Sequence, residues 1–258
     1  MNWTLIFLGS FVTLAATSLG ALPALLLRYL SERTNNFLMG FSAGIMLSAS
    51  SFSLIVPALH LAAAQTQSQT IGAFLVGAMI LLGAAFFLFC DRIIPHEHFI
   101  TGREGGPPSI QLKRIWLFVL AIAIHNFPEG LAVGSSIGSQ SLALALPVVA
   151  GIGLQDLPEG FVVAAALMSV GYSRKESLLA AIGTGVVEAI AALIGFMATT
   201  FFSVLLPSML AFAGGAMLYV VVEEMIPEIQ NKPTSRDSST GLLCGFVMMM
   251  ILEVVLSK

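Results

Sequence analysis

Apolar residues in this chain do not alternate with polar ones; they run. Eight nearly uninterrupted stretches lie at 5–27, 37–61, 71–90, 115–137, 142–169, 177–199, 204–226 and 240–257. About 20 apolar residues cross the hydrocarbon core of a bilayer as a helix. Lipid offers the backbone no partners, so each span must satisfy its own hydrogen bonds. The alternating segments of about 10 residues that build a membrane β-barrel are absent from the sequence. The pattern predicts an all-α integral membrane protein with eight transmembrane helices, helices 1 to 8 in chain order, forming a single polytopic domain over 1–258.

Composition agrees. The chain is 57% hydrophobic and 10% charged, with mean hydropathy +0.94, where soluble domains carry about 25% charged residues. Its net charge is −3, and no nucleic-acid partner is expected. Cys90 and Cys244 make neither a disulfide framework nor a CxxC metal pair. The opening "MNWTLIFLGS" lacks the basic n-region of a signal peptide, so the first run is expected to stay as a helix.

The basic residues set the orientation. Arg28 and Arg33 follow helix 1. Arg92, Arg103, Lys113 and Arg114 lie in or flank the third connection. Arg174 and Lys175 follow helix 5, and Lys232 and Arg236 follow helix 7. The alternate connections, "AAAQTQSQT", "GSQS" and the stretch around 200–207, carry none. By the positive-inside rule both termini are expected outside and the 91–114 loop between helices 3 and 4 in the cytoplasm. Missing one helix would break the alternation.

Polar side chains interrupt the oil in two similar places. Helix 4 reads "AIAIHNFPEGLAVG" at 121–134 and helix 5 reads "GIGLQDLPEGFVVA" at 151–164. A second similarity links "FSAGIML" (41–47) on helix 2 with "FAGGAML" (212–218) on helix 7, each followed by a proline, Pro57 and Pro227. Helices 2 and 7 run in opposite directions. The expected architecture is an inverted 3+2+3 repeat, helices 1–3 and 6–8 flanking a 4–5 hairpin, a transporter signature.

His125 and Glu129 share a helix face, as do Asn126 and Glu129, Gln155 and Glu159, and Asp156 and Glu159. Pro128 and Pro158 deprive the carbonyls of Ile124 and Leu154 of their helical partners, which is expected to open each helix beside its polar cluster. Helix 6 adds Glu188, with Gly183 and Gly185 a turn below it to admit a close neighbour. An acid at bilayer depth costs a few kcal/mol and should face a partner or a wet cavity. No Lys or Arg lies within helices 4, 5 or 6, so the compensating charge must be protons or divalent metal. Four carboxylates with neutral His125 carry −4, which two divalent cations balance. Imidazole, carboxylates and amides suit first-row divalent ions, zinc first.

At these residues the sequence resembles the ZIP (Zrt-, Irt-like protein) family of divalent-metal transporters. "HNFPEG" is the helix-4 motif of its prokaryotic members, and "QDLPEG" occupies the place of the helix-5 motif. Many members begin that second motif with His; Gln155 here is similar to the GufA-type branch. The resemblance implies a primary metal site of His125, Glu129, Gln155 and Glu159. It implies an adjoining site of Asn126, Asp156 and Glu188 that shares Glu129 and Glu159, and a thioether at Met46 near the primary site. It further implies a homodimer in the cell membrane, with helices 1, 4, 5 and 6 moving as a metal-carrying unit against 2, 3, 7 and 8. The expected activity is import of zinc, with cadmium, iron and manganese as further candidate cargoes. The metal is cargo; no cofactor and no enzymatic activity are expected. An intramembrane metal-dependent hydrolase using the same cluster, or a metal sensor without flux, is the alternative.

Other features carry less. His96 and His98 in "PHEH" are placed to take metal leaving the pathway. Asp91, Glu223 and Glu224 are candidates to line the exit, and His60 to receive metal on the way in. Glu253 reads as an interfacial or dimer-contact charge. "GSSIG" at 134–138 matches G-x-S-x-G but ends a membrane helix instead of forming a strand-to-helix elbow. HExxH and the P-loop are both absent.

Overall fold

The computed structural model describes residues 3–26, 31–93, 96–98, 102–104, 114–169, 172–230 and 235–257. Eight long helical rods account for nearly all of these: α1 (Trp3–Leu26), α2 (Glu32–Thr66), α3 (Gln69–Ile93), α4 (Arg114–Gly138), α5 (Leu142–Ser169), α6 (Arg174–Phe201), α7 (Leu206–Val220 continuing to Ile226–Gln230) and α8 (Ser235–Leu256). Each coincides with one of the expected runs, to within two residues where a run extends past its helix. Seven are long and apolar enough to cross a bilayer. The other, α4, has 25 residues, about 37 Å of helix, enough for the same crossing. In the loop between α3 and α4, β1 (His96–His98) pairs antiparallel with β2 (Gly102–Glu104). This ribbon is a small departure from the expected all-α chain. The side chains of Asp91, His96 and His98 lie outside the described residues.

Several helices begin earlier than their apolar runs, because polar caps extend them. Ser31 accepts from the Thr34 N–H at 3.1 Å, and α2 therefore starts at Glu32. At α6 a reciprocal capping box joins Ser173 and Glu176; it satisfies two N–H groups that a helix start otherwise leaves without partners.

Phe74, Leu81, Leu243, Ile251 and Val254 are among the large apolar side chains that α3 and α8 expose. The scale of such exposure across the molecule is foreign to soluble monomers and fits a surface solvated by lipid. The inside is built from close helix pairs. The most extensive contacts are α4 with α6, α2 with α8 and α1 with α5, followed by α2 with α7 and α3 with α7. Glycines make these approaches possible. A Cβ on Gly130 or Gly134 would lie 2.1 or 1.9 Å from the Glu188 or Ala192 carbonyl oxygen. Gly40 and Gly44 meet the backbone of Ser238 and Leu242, Gly20 that of Leu157, and Gly215 that of Ile80. Small residues that let backbones touch are the usual means of packing helices in lipid. The registers show α2 parallel to α8 and α4 parallel to α6, as an odd number of intervening crossings requires.

Two helices change their winding midway. In α2 the segment Ala49–Ile55 is π-helical, and in α7 so is Val221–Met225. Each precedes a proline, Pro57 and Pro227, which cannot donate. The N–H of the residue before each proline reaches back five residues, Val56 to Ser51 and Ile226 to Val221. Both segments begin a short distance after the shared "FSAGIML" and "FAGGAML" motifs. By contrast α4 and α5 remain continuous helices through Pro128 and Pro158.

Candidate metal centre

The PEG segments of α4 and α5 face each other in the middle of the helix bundle. Glu129, Gln155 and Glu188 are 0% exposed and Asp156 is 1%; Glu159 is partly buried. One carboxylate oxygen from each of Glu129, Asp156 and Glu159 lies within 4.8 Å of the other two. Divalent zinc binds carboxylate oxygen at about 2.0–2.2 Å, so one ion needs only a modest inward shift of these groups to touch all three. Glu188 of α6 lies within electrostatic range of Glu129 and Asp156, held there by the Gly130 contact with its own carbonyl.

The amides fit a cation. Gln155 donates from Nε2 to Glu129 Oε1, which turns its own Oε1 away, buried and without a hydrogen-bond partner. Both polar atoms of the Asn126 side chain, both oxygens of Asp156 and Oε2 of Glu129 are buried and likewise unpartnered. Native interiors leave few such groups, and each costs about 1–3 kcal/mol, more when charged. A cation supplies what these oxygens lack.

His125 is 8% exposed, and its Nε2 contacts Oε2 of Glu224 from the π segment of α7. Thus Glu129, Gln155, Asp156, Glu159 and Glu188 come together, while His125 is engaged by a side chain of another helix. Sequence reasoning put Glu224 on an exit lining. It is instead 7% exposed and reaches the site's imidazole, whereas Glu223 is exposed. Met46 is buried in α2 among core residues that include Leu131 and Ile152. His60 is exposed. Glu253 accepts a hydrogen bond from Ser53 of the α2 π segment, so a partner within the chain engages the expected interfacial charge. Gly185 admits Leu14 and Thr17 of α1, but a Cβ on Gly183 would meet nothing within 4 Å, which corrects the expectation of a close neighbour there.

The model of a protein family described as "ZIP Zinc transporter" matches residues 96–253. The protein named zinc transporter GufA, from Myxococcus xanthus, is 43% identical over 241 residues, covering 93% of this chain and 94% of its own length. The chain belongs to the ZIP family. Zinc transporter ZIPB of Bordetella bronchiseptica is 41% identical over 249 residues, covering 96% of this chain and 80% of ZIPB. The human zinc transporter ZIP11 is 30% identical with 96% of both chains covered. These matches put the chain in the GufA-type prokaryotic branch of the ZIP family, as Gln155 suggested. ZIP proteins are transporters, not enzymes.

Proposed function

We propose that this protein imports divalent metal, zinc first, with cadmium, iron and manganese as further candidate cargoes, into the cytoplasm. The buried group of Glu129, Asp156 and Glu159 carries the reading. These acids sit at the centre of the bundle, and no Lys or Arg of α4, α5 or α6 lies beyond the first two residues of a helix. Relatives named zinc transporters at 43% and 41% identity support zinc as the cargo.

The site we favour holds two metals. His125, Glu129, Gln155 and Glu159 form the primary position, with Met46 nearby. Asn126, Asp156 and Glu188 form the adjoining one, and Glu129 and Glu159 bridge. Binding in the primary position would require the His125 imidazole to exchange its contact with Glu224 for the metal.

The inverted 3+2+3 repeat has packing in its favour. Exchanging α1 with α6, α2 with α7, α3 with α8 and α4 with α5 turns the α4·α6 pair into α5·α1 and the α2·α8 pair into α7·α3. These four are among the most extensive contacts between the described helices, and the α2·α7 contact maps onto itself. The paired π segments of α2 and α7 obey the same exchange. The backbone-to-backbone glycine contacts stay within the set α1, α4, α5, α6 or the set α2, α3, α7, α8, which supports two units that move against each other. With termini outside, the protein resides in the cell membrane as a homodimer.

Purified protein reconstituted into liposomes that enclose a zinc-sensitive dye tests the reading. We expect zinc accumulation that Glu129→Ala abolishes. Tight binding without flux supports a sensor instead, and metal-dependent hydrolysis without flux an intramembrane hydrolase.

A further inference from the structure

Each set of four helices is symmetric within itself. A Cβ on Gly83 of α3 would lie 2.1 Å from the Phe212 carbonyl oxygen of α7, and one on Gly245 of α8 would lie 2.1 Å from that of Phe41 of α2. Phe212 and Phe41 open the matching motifs "FAGGAML" and "FSAGIML". In the other set, Gly130 of α4 meets the Glu188 carbonyl of α6 as Gly160 of α5 meets the Thr17 carbonyl of α1. Both of these glycines close a PEG motif. The contacts fix which residues correspond. His125 answers to Gln155. Phe87, one turn beyond Gly83, answers to Met249, one turn beyond Gly245. Glu224 answers to Ser53 when the two motifs are continued into the π segments.

The contacts between the sets break this symmetry. On one side, His125 contacts Glu224, and its ring lies 5.6 Å from that of Phe87. On the other, Gln155 donates to Glu129 and Ser53 to Glu253, each within its own set. Met249 meets Gly151, one turn from Gln155, and packs with Leu154. Two bodies that are each symmetric but docked asymmetrically have a second docking. It exchanges the two sides and keeps the backbone contacts inside each body. Inverted repeats that rock against each other use this freedom.

We propose that the α4–α5 hairpin takes up this second docking, in which Gln155 leaves Glu129 for Ser53 and lies against Met249, while His125 parts from Glu224 and Phe87. The new partners are complementary. A hydroxyl offers two lone pairs and one proton, so Ser53 accepts from the Gln155 amide without giving up its donation to Glu253. Met249 is unbranched and flexible and refits from Gly151 to Gln155. The exchange uncovers Oε1 of Glu129 and Nε2 of His125 together, so the second docking is the one that loads metal. The proposal rests on the inverted repeat proposed above.

Disulfide formation in membranes holding the full-length protein tests it, with Cys90→Ser and Cys244→Ser as background. Met249→Cys with Gly151→Cys reports the described docking; shortening Met249 makes room for the second cysteine. Met249→Cys with Gln155→Cys reports the second docking. After mild oxidation, linked peptides from the monomer band are quantified by mass spectrometry at matched amounts of inserted protein. We expect both pairs to link. Glu224→Ala removes the contact that holds His125, and should raise the Gln155 pair about 10-fold while lowering the Gly151 pair. Absence of the Gln155 pair in both backgrounds overturns the proposal. So do yields that rise together, the signature of loosened packing, or yields that Glu224→Ala leaves unchanged. Linkage at the Gly151 pair alone overturns the second docking and leaves metal transport standing. Linkage at both pairs with no zinc flux in liposomes supports the second docking and overturns transport instead.

Discussion

Replacing Gly130 by alanine separates the geometry of the proposed metal centre from its chemistry. The new Cβ would stand 2.1 Å from the carbonyl oxygen of Glu188 and 2.7 Å from the Ala191 Cβ. Bringing that oxygen out to an ordinary contact of 3.4 Å needs about 1.3 Å of movement between α4 and α6. Glu129 is the residue before Gly130, so the movement draws Glu129 and Glu188 apart by a similar distance without changing either side chain. Metal–ligand distances tolerate about 0.2 Å, and a misplacement of about 1 Å elsewhere in catalysis costs roughly 100-fold. Overpacking of this kind costs about 1–3 kcal/mol of stability, which leaves room for the variant to fold. We therefore expect folded Gly130→Ala protein whose zinc uptake in proteoliposomes falls by about 100-fold. Gly183→Ala, on the same helix as Glu188 but with open space around its Cβ, is the control and should transport normally. Normal uptake and affinity in Gly130→Ala would refute the idea that the α4–α6 contact sets the spacing of the acids.

Alanine at Glu129 or Glu159 should abolish zinc uptake with the protein still in the membrane, and Asp156→Ala should be milder, since it removes a ligand of the adjoining position alone; flux assays with matched protein levels check this. Metal ligands must be deprotonated to bind, so lowering the external pH from about 7 towards 5, through the imidazole range, should raise the half-saturating zinc concentration; a steep rise in uptake on acidification would point to proton-driven cotransport instead. Gln155→His exchanges an amide oxygen for an imidazole nitrogen, a stronger zinc ligand. It should shift the zinc-to-manganese uptake ratio towards zinc in competition assays and lower maximal flux; an unchanged ratio would mean that position 155 does not touch the metal.

The acids and their partners were legible in the sequence because charge is so rare in this chain that each buried carboxylate stands out, and because the two PEG segments repeat at matching helical spacing. The eight crossings were legible from run length and from the alternation of basic loops. Helix starts were less so. The Ser31 and Ser173 caps lie outside the apolar runs, and hydropathy does not register them. The π segments left a faint trace: Pro57 and Pro227 mark where a helix loses a donor, but the same was true of Pro128 and Pro158, where the helix carried on. Glu224 was read as an exit charge because its depth depends on how α7 is wound through Val221–Met225, which the spacing of residues does not reveal.

The glycine contacts also bear on how fast the molecule can rearrange. Within each set of four helices, peptide groups lie directly on peptide groups, and sliding them would require whole helices to part. Between the sets, among the described residues, the glycine contact that crosses is that of Gly151 with the thioether tip of Met249. Met249 is buried, but methionine is flexible and deforms more readily than a peptide group. The contact at that boundary therefore yields more easily than those within each set. A polar contact also spans it, His125 of α4 against Glu224 of α7. On the proposed reading of two moving units that contact would be a latch on the boundary, and a cation that competes for the imidazole would release it.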